Sequence, residues 1–277
     1  ERRAFRIPPR VTPSPGLGYR RGWTELQVIV LSDTAPSLVI NPALDRVALA
    51  QRFAADGRVQ VRDFLTPDSA QRLGTLLQQQ TPWGLSWQAA EMGPHKLPAE
   101  QVRGLRPENI NAMLERVNAV MAGPGFAFLY AQYLMHDYAM LGTSTSPAHD
   151  RLVDELNDPA FLDFGREVTG REAIAWADSQ ATLYSRGQFL SMHQDVVAGE
   201  NRLVAYVLNL CPIDWRPDWG GYLNFYDADG DIVAGYRPRF NSLNMFAVPA
   251  DHNVSYVPGF APAQGRFAIT GWFRAAD

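Results

Sequence analysis

The chain has 277 residues, 46% hydrophobic and 19% charged, with a formal net charge of −4 and a single cysteine, Cys211. Such a composition suits a globular protein large enough to bury a core without disulfides or a structural metal. It excludes an intramolecular disulfide and a strongly basic nucleic-acid footprint. With no apolar run of about 18 residues, it also excludes a membrane-spanning helix. A cytoplasmic protein is expected.

Residues 1–36 stand apart. Arg2, Arg3, Arg6, Arg10, Arg20 and Arg21 alternate with Pro8, Pro9, Pro13 and Pro15. Proline removes backbone donors and blocks helix, so an irregular N-terminal extension is expected here, or a basic arm for a partner. The first residue is Glu1, not methionine, so a native start is not expected at this point. The patterned part, residues 37–277, is expected to form one domain.

Pro42–Ala55 has helical spacing and stops at Gly57. Val59, Val61 and Phe64 read as a short strand. Thr66 is a good N-cap and Pro67 a good first helical residue, with Leu73, Leu76 and Leu77 giving the apolar face. Pro107–Met121 and Phe126–Tyr138 read as two further helices around a Gly123-Pro124-Gly125 loop, and Pro159–Val168 as another, closed by Gly170. From there the period changes. Arg202–Leu210, Gly221–Tyr226, Ser242–Val248, Asn253–Val257 and Arg266–Arg274 are short β-prone runs separated by Gly, Pro, Asp or Asn. That spacing predicts a sandwich or barrel rather than a parallel α/β sheet, with the helices on one face.

Chemistry concentrates in Leu190–Asp195, which contains His193-Gln194-Asp195. On a strand, residues two apart share a face, so an imidazole and a carboxylate aim at one point. The only later histidine is His252, at the start of a predicted strand. Two histidines and a carboxylate on one face of an octahedral metal leave positions open for a cosubstrate and oxygen, which is the facial triad of non-haem Fe(II) oxygenases. His-x-Asp alone is weak evidence. Arg266 strengthens it, because an arginine entering an apolar strand is costly unless paired, and a guanidinium grips a carboxylate through two parallel hydrogen bonds. Its partner is either the free C5 carboxylate of a bound 2-oxoglutarate or an Asp or Glu of the protein.

The series His193-x-Asp195, the Arg202–Leu210 strand, Pro212–Gly221 with Gly220-Gly221, Phe246–His252, and Arg266 through Gly271-Trp272-Phe273 resembles the Fe(II)/2-oxoglutarate-dependent oxygenases of the prolyl-hydroxylase superfamily. It is most similar to the catalytic domain of the eukaryotic ribosomal-protein prolyl hydroxylases. The resemblance covers about residues 170–275. Those proteins carry a second, degenerate β-helix domain after this one. The sequence given ends three residues past Arg274, so substrate contacts made by such a domain are not expected of it.

The resemblance implies an α+β fold: a double-stranded β-helix (jelly-roll, cupin-like) with helices packed on the major sheet. It implies Fe(II) on His193, Asp195 and His252. It also implies 2-oxoglutarate and O2 as cosubstrates, and ascorbate as an accessory reductant. Hydroxylation of a prolyl residue in a protein or peptide, with release of succinate and CO2, is the expected reaction. Arg266 and Tyr184, nine residues before His193, would bind 2-oxoglutarate, and Asn209 in an inner strand could touch it. A core tyrosine bonded to backbone is the other reading of Tyr184. Trp215 and Trp219 form either a lid or aromatic floor for substrate, or ordinary loop packing. Trp272 and Phe273 are expected in the core and Arg274 in a surface ion pair. His149-Asp150 resembles a capping segment before a helix. Two alternatives remain: the same chemistry on a free amino acid or metabolite, and a non-catalytic metal-binding β-helix module.

Overall fold

The computed structural model describes residues 38–276, so the expectations for residues 1–36 lie outside the described residues. Helix α1 (Arg46–Asp56) begins at Asp45, whose side chain accepts from the Ala48 amide, and ends at Gly57, whose φ of 65° is easy only for glycine. It starts four residues later than the apolar spacing predicts, because Asp45 supplies a cap that Pro42 cannot. Strand β1 (Arg58–Arg62) follows, then α2 (Pro67–Gln79). Thr66 holds the N-cap position but makes no side-chain cap bond.

The next stretch departs from expectation. Gly84–Ala89 and Met92–Leu97 form a hairpin, β2 and β3, that the sequence did not announce. After α3 (Ala99–Arg103) and α4 (Pro107–Met121), the segment expected as a helix over Phe126–Tyr138 is instead strand β4 (Ala127–Tyr133) followed by a short helix α5 (Met135–Met140). A run as apolar as FAFLYAQY carries too few polar residues to separate helix from strand, and pairing with Gly84–Ala89, Gln180–Tyr184 and Phe189–His193 decides it. Helices α6 (Pro147–Leu156) and α7 (Pro159–Thr169) complete the helical layer.

His149 lies inside the first turn of α6, not ahead of it. It is fully buried, with Nε2 3.0 Å from Thr81 Oγ1 and Nδ1 2.6 Å from Ser146 Oγ. Burial pushes its pKa down from 6.5 to about 4. The folded protein therefore holds His149 neutral while the unfolded chain takes up a proton. Stability present above pH 6.5 should be lost as pH falls from 6.5 towards 4, by up to about 3 kcal/mol. Urea unfolding across that range should show a steeper loss for the wild type than for His149→Gln. Equal slopes would show that His149 charges freely in the fold.

Strands β5 (Ile174–Ala177), β6 (Gln180–Tyr184), β7 (Phe189–His193), β8 (Arg202–Asn209), β9 (Leu223–Tyr226), β10 (Ile232–Tyr236), β11 (Ser242–Ala247), β12 (His252–Val254) and β13 (Arg266–Ala275) make up the second half. All pairings are antiparallel. The order β1-β11-β8-β13-β6-β4-β7-β12-β9-β10 winds into a nearly closed barrel, a double-stranded β-helix.

Strand β8 shows why its run is apolar throughout. Val204, Tyr206 and Leu208 join the core beneath the helices, with Phe161, Phe164, Ile269 and Phe273, while Ala205 and Val207 face the barrel with Phe225 and Phe246. A strand buried on both faces cannot alternate polar and apolar residues. Gly165 lets α7 approach this sheet, since a Cβ there would stand 3.0 Å from the Phe273 ring. Among the described residues no helix is long and apolar enough to cross a membrane.

Candidate metal centre

His193 ends β7 and His252 begins β12. The two are direct partners in the antiparallel register, with ring centroids 4.2 Å apart. Asp195 lies two residues beyond the end of β7, so the same-face argument for a strand does not place it. The loop after the strand does, folding its carboxylate back between the rings. Oδ1 stands 3.3 Å from His193 Nε2 and Oδ2 3.4 Å from His252 Nε2. One donor atom from each of the three residues lies within 4.8 Å of the others.

Each imidazole is fixed by its second nitrogen. His193 Nδ1 donates to the Ser191 carbonyl at 2.9 Å, and His252 Nδ1 donates to the Ala250 carbonyl at 2.8 Å. A carbonyl can only accept, so both Nδ1 atoms carry protons, and both Nε2 atoms face the carboxylate as the nitrogens a metal would take. Burial lowers the pKa of His252 despite the opposing charge of Asp195, favouring the neutral form a metal needs. Burial pushes the Asp195 carboxyl up, but the hydrogen bond from His193 and the two imidazoles outweigh it and hold the group below its ordinary range. The carboxylate is thus ionised near neutral pH. Two neutral imidazoles and one carboxylate are the donor set that suits Fe(II) with open positions.

Asp195 is also held from behind. Arg202 Nη1 donates to its backbone carbonyl at 3.1 Å and lies 4.0 Å from Oδ1, while the guanidinium stacks 3.6 Å over Trp272. Arg202 pairs with Glu200 at 2.6 Å, and Arg274 joins Glu200 to Asp178. Arg274 therefore sits in a partly buried network rather than a plain surface pair. Phe273 is in the core as expected, and Trp272 packs under Arg202.

Arg266, the first residue of β13, is 2% exposed. Its Nε donates to Asn209 Oδ1 at 3.2 Å, and its guanidinium lies 5.3 Å from the ring centre of Tyr184, its register partner on β6. Nη1 is buried with no partner. Among the described residues no carboxylate forms an ion pair with it, so the salt-bridge reading finds no Asp or Glu. A buried guanidinium with an orphaned nitrogen is strained electrostatically until a carboxylate arrives, and burial lowers its pKa accordingly. The group 2-oxoglutarate offers, a free carboxylate, fits that vacancy. Asn209 holds Arg266 through its carboxamide oxygen.

Tyr184 is buried, its hydroxyl makes no hydrogen bond among the described residues, and its ring stacks on Tyr130 at 5.0 Å. Burial, then the neighbouring Tyr130, raises its pKa well above 10, so its hydroxyl stays a donor. Trp215 is buried, donates to the Gly220 carbonyl at 2.8 Å and packs edge-on to Trp219 at 5.5 Å. It belongs to the cluster containing Tyr184, Cys211 and Val257, which is loop packing behind Arg266.

A second row of aromatic rings lies beside His193. Phe126, just ahead of β4, and Phe128 and Tyr130 within it follow one another at steps of two, with centroid separations of 5.7 and 5.4 Å. The row starts 5.8 Å from His193 and ends against Tyr184. It was missed because this segment was expected to be a helix, although F-x-F-x-Y is itself a period-two signal.

A β-helix carrying two histidines and an aspartate beside a buried, unpaired arginine defines the site of a non-haem iron oxygenase. Residues 179–274 match the profile of the 2OG-Fe(II) oxygenase superfamily. The match to that profile implies Fe(II), 2-oxoglutarate and O2. The chain is 30% identical over 137 residues to a prolyl 3,4-dihydroxylase, OGFOD1, of Ostreococcus tauri, a match covering 46% of this chain and 26% of that protein. It thus spans about a quarter of the length of the curated relatives it matches. In fold it is similar to a Pseudomonas putida prolyl-4-hydroxylase (TM-score 0.52, 18% identity, 83% of this chain and 99% of that one). It is similar as well to a Trichoplax adhaerens prolyl hydroxylase solved with a hypoxia-inducible-factor peptide (TM-score 0.55, 15% identity, 83% and 89%).

Proposed function

We propose that this chain is an Fe(II)- and 2-oxoglutarate-dependent dioxygenase that hydroxylates a prolyl residue of a protein or peptide. The observation that carries the reading is the pairing of the His193–Asp195–His252 cluster with Arg266, whose buried Nη1 has no partner of its own. When bound, iron with 2-oxoglutarate and O2 supplies oxidative decarboxylation to succinate and CO2 and transfer of the second oxygen atom into a C–H bond.

The chain's own residues do the rest. His193, Asp195 and His252 would hold the metal, a three-residue set that leaves positions for the cosubstrates. Arg266, oriented by Asn209, takes the far carboxylate of 2-oxoglutarate, and the Tyr184 hydroxyl donates to the same molecule. The row from Phe126 to Tyr130 excludes water and gives the substrate an apolar surface. Met192, Val196 and Val197 flank the ligands and are exposed, an apolar rim that suits a peptide better than a free amino acid. Ascorbate is the proposed accessory reductant, keeping the iron ferrous. The cytoplasm is the proposed compartment, a reducing one that suits Cys211, whose thiol burial pushes up to about 12.

The test is to incubate the full chain with Fe(II), 2-oxoglutarate and a library of proline-containing peptides, reading succinate and a gain of one oxygen by mass spectrometry. Stoichiometric succinate and a modified proline support the reading. The same succinate with only a free amino acid oxidised would make it a metabolite hydroxylase. No 2-oxoglutarate turnover, even uncoupled, would make it a binding module.

A further inference from the structure

A second cluster of charge lies on the other limb of the sheet, where β1, β11 and β8 are neighbours and Arg62, Ser242 and Asn209 stand in register. Here a cleft of about 450 Å³ is lined by Arg62, Arg237 and Arg239 over a floor that includes Cys211, Ser242 and Phe240. It shares no residue with the iron ligands or with Arg266.

Three guanidinium groups in one cleft repel one another unless anions compensate them. The compensation present is thin. Arg237 Nη2 lies 3.3 Å from Asp214, whose side chain is 90% exposed, and Arg237 Nη1 donates to the Trp215 carbonyl at 2.9 Å. Arg62 and Arg239 form no ion pair among the described residues, and the rim residue Asp63 pairs with none of the three. Both Arg237 Nε and Arg239 Nε are buried without a hydrogen-bond partner. Burial, then the charges of Arg237 and Arg62, lower the pKa of Arg239. Both orphaned donors belong to residues that line the cleft, and a buried donor without an acceptor is costly until one arrives. An arginine fork matches the oxygens of an oxyanion, and after Asp214 has answered Arg237 two positive charges remain to be balanced.

We propose that this cleft is an anion site, separate from the iron centre, in which Arg62, Arg237 and Arg239 bind a phosphate-type dianion, either free or carried on a phosphorylated side chain. Calorimetric titration of the full chain with inorganic phosphate, against chloride at equal ionic strength, is the test. A one-site isotherm is expected in phosphate, weakened by about tenfold or more in Arg239→Gln and in Arg62→Gln. Arg62 is exposed and its side chain makes no hydrogen bond or ion pair among the described residues, so its variant decides the matter if Arg239→Gln folds poorly. A phosphoserine peptide binding more tightly than phosphate would support the site with a phosphorylated chain as its ligand. Equal or weaker peptide binding would support it with free phosphate. Absence of phosphate binding, or equal binding by wild type and both variants, would overturn it.

Discussion

Asp195→Ala is expected to leave a folded protein that no longer holds iron and no longer turns over 2-oxoglutarate. Its carboxylate lies 3.3 and 3.4 Å from the two Nε2 atoms, so its removal takes away the one anionic donor and leaves two neutral imidazoles. Loss of an outer partner of a metal ligand weakens binding by about 10–100-fold, and loss of the ligand itself should exceed that. Iron content after equilibrium dialysis is the measurement. Arg202→Gln should fall within the smaller range, because Arg202 touches the Asp195 backbone and not the metal. Retention of iron and turnover by both Asp195→Ala and His252→Ala would remove the assignment of all three ligands.

Arg266→Met should separate the cosubstrate from the metal. The variant loses the guanidinium but keeps a side chain of similar length beside Tyr184 and Asn209. Truncating one member of a buried charge pair costs about 2–5 kcal/mol, which is roughly 30- to 5,000-fold in 2-oxoglutarate affinity, while iron binding is unchanged. A second effect has the opposite sign. Without 2-oxoglutarate, the wild type carries a buried cation with an orphaned nitrogen, so Arg266→Met should melt higher than the wild type under those conditions. Addition of 2-oxoglutarate should raise the wild-type melting temperature and leave the variant unmoved. An unaltered 2-oxoglutarate affinity in the variant would show that the carboxylate binds elsewhere.

Strands β8, β11 and β13 were legible because turns punctuate them, and each falls within a residue or so of its predicted bounds. Helix α4 was legible from Pro107 onward for the same reason. The β2–β3 hairpin and β4 were not, since their identity is settled by partners distant in sequence: β4 is a strand because β6 and β7 flank it. The site was legible as residue types, but its geometry was not. Asp195 reaches the centre from a loop that no periodicity describes, and Phe126, Phe128 and Tyr130 stayed hidden behind the helix assignment. The pairing of Asn209 with Arg266 joins residues 57 apart and has no local signature at all.

His193 and His252 are facing residues in one strand pairing, and β12 is only three residues long. A slip of that pairing by one residue would turn the second imidazole to the opposite side of the sheet. The iron ligands can therefore assemble only after the chain has closed its long loop and chosen the right alignment. A misaligned molecule would offer no chelate, so an ion held by all three residues would favour the correctly aligned barrel.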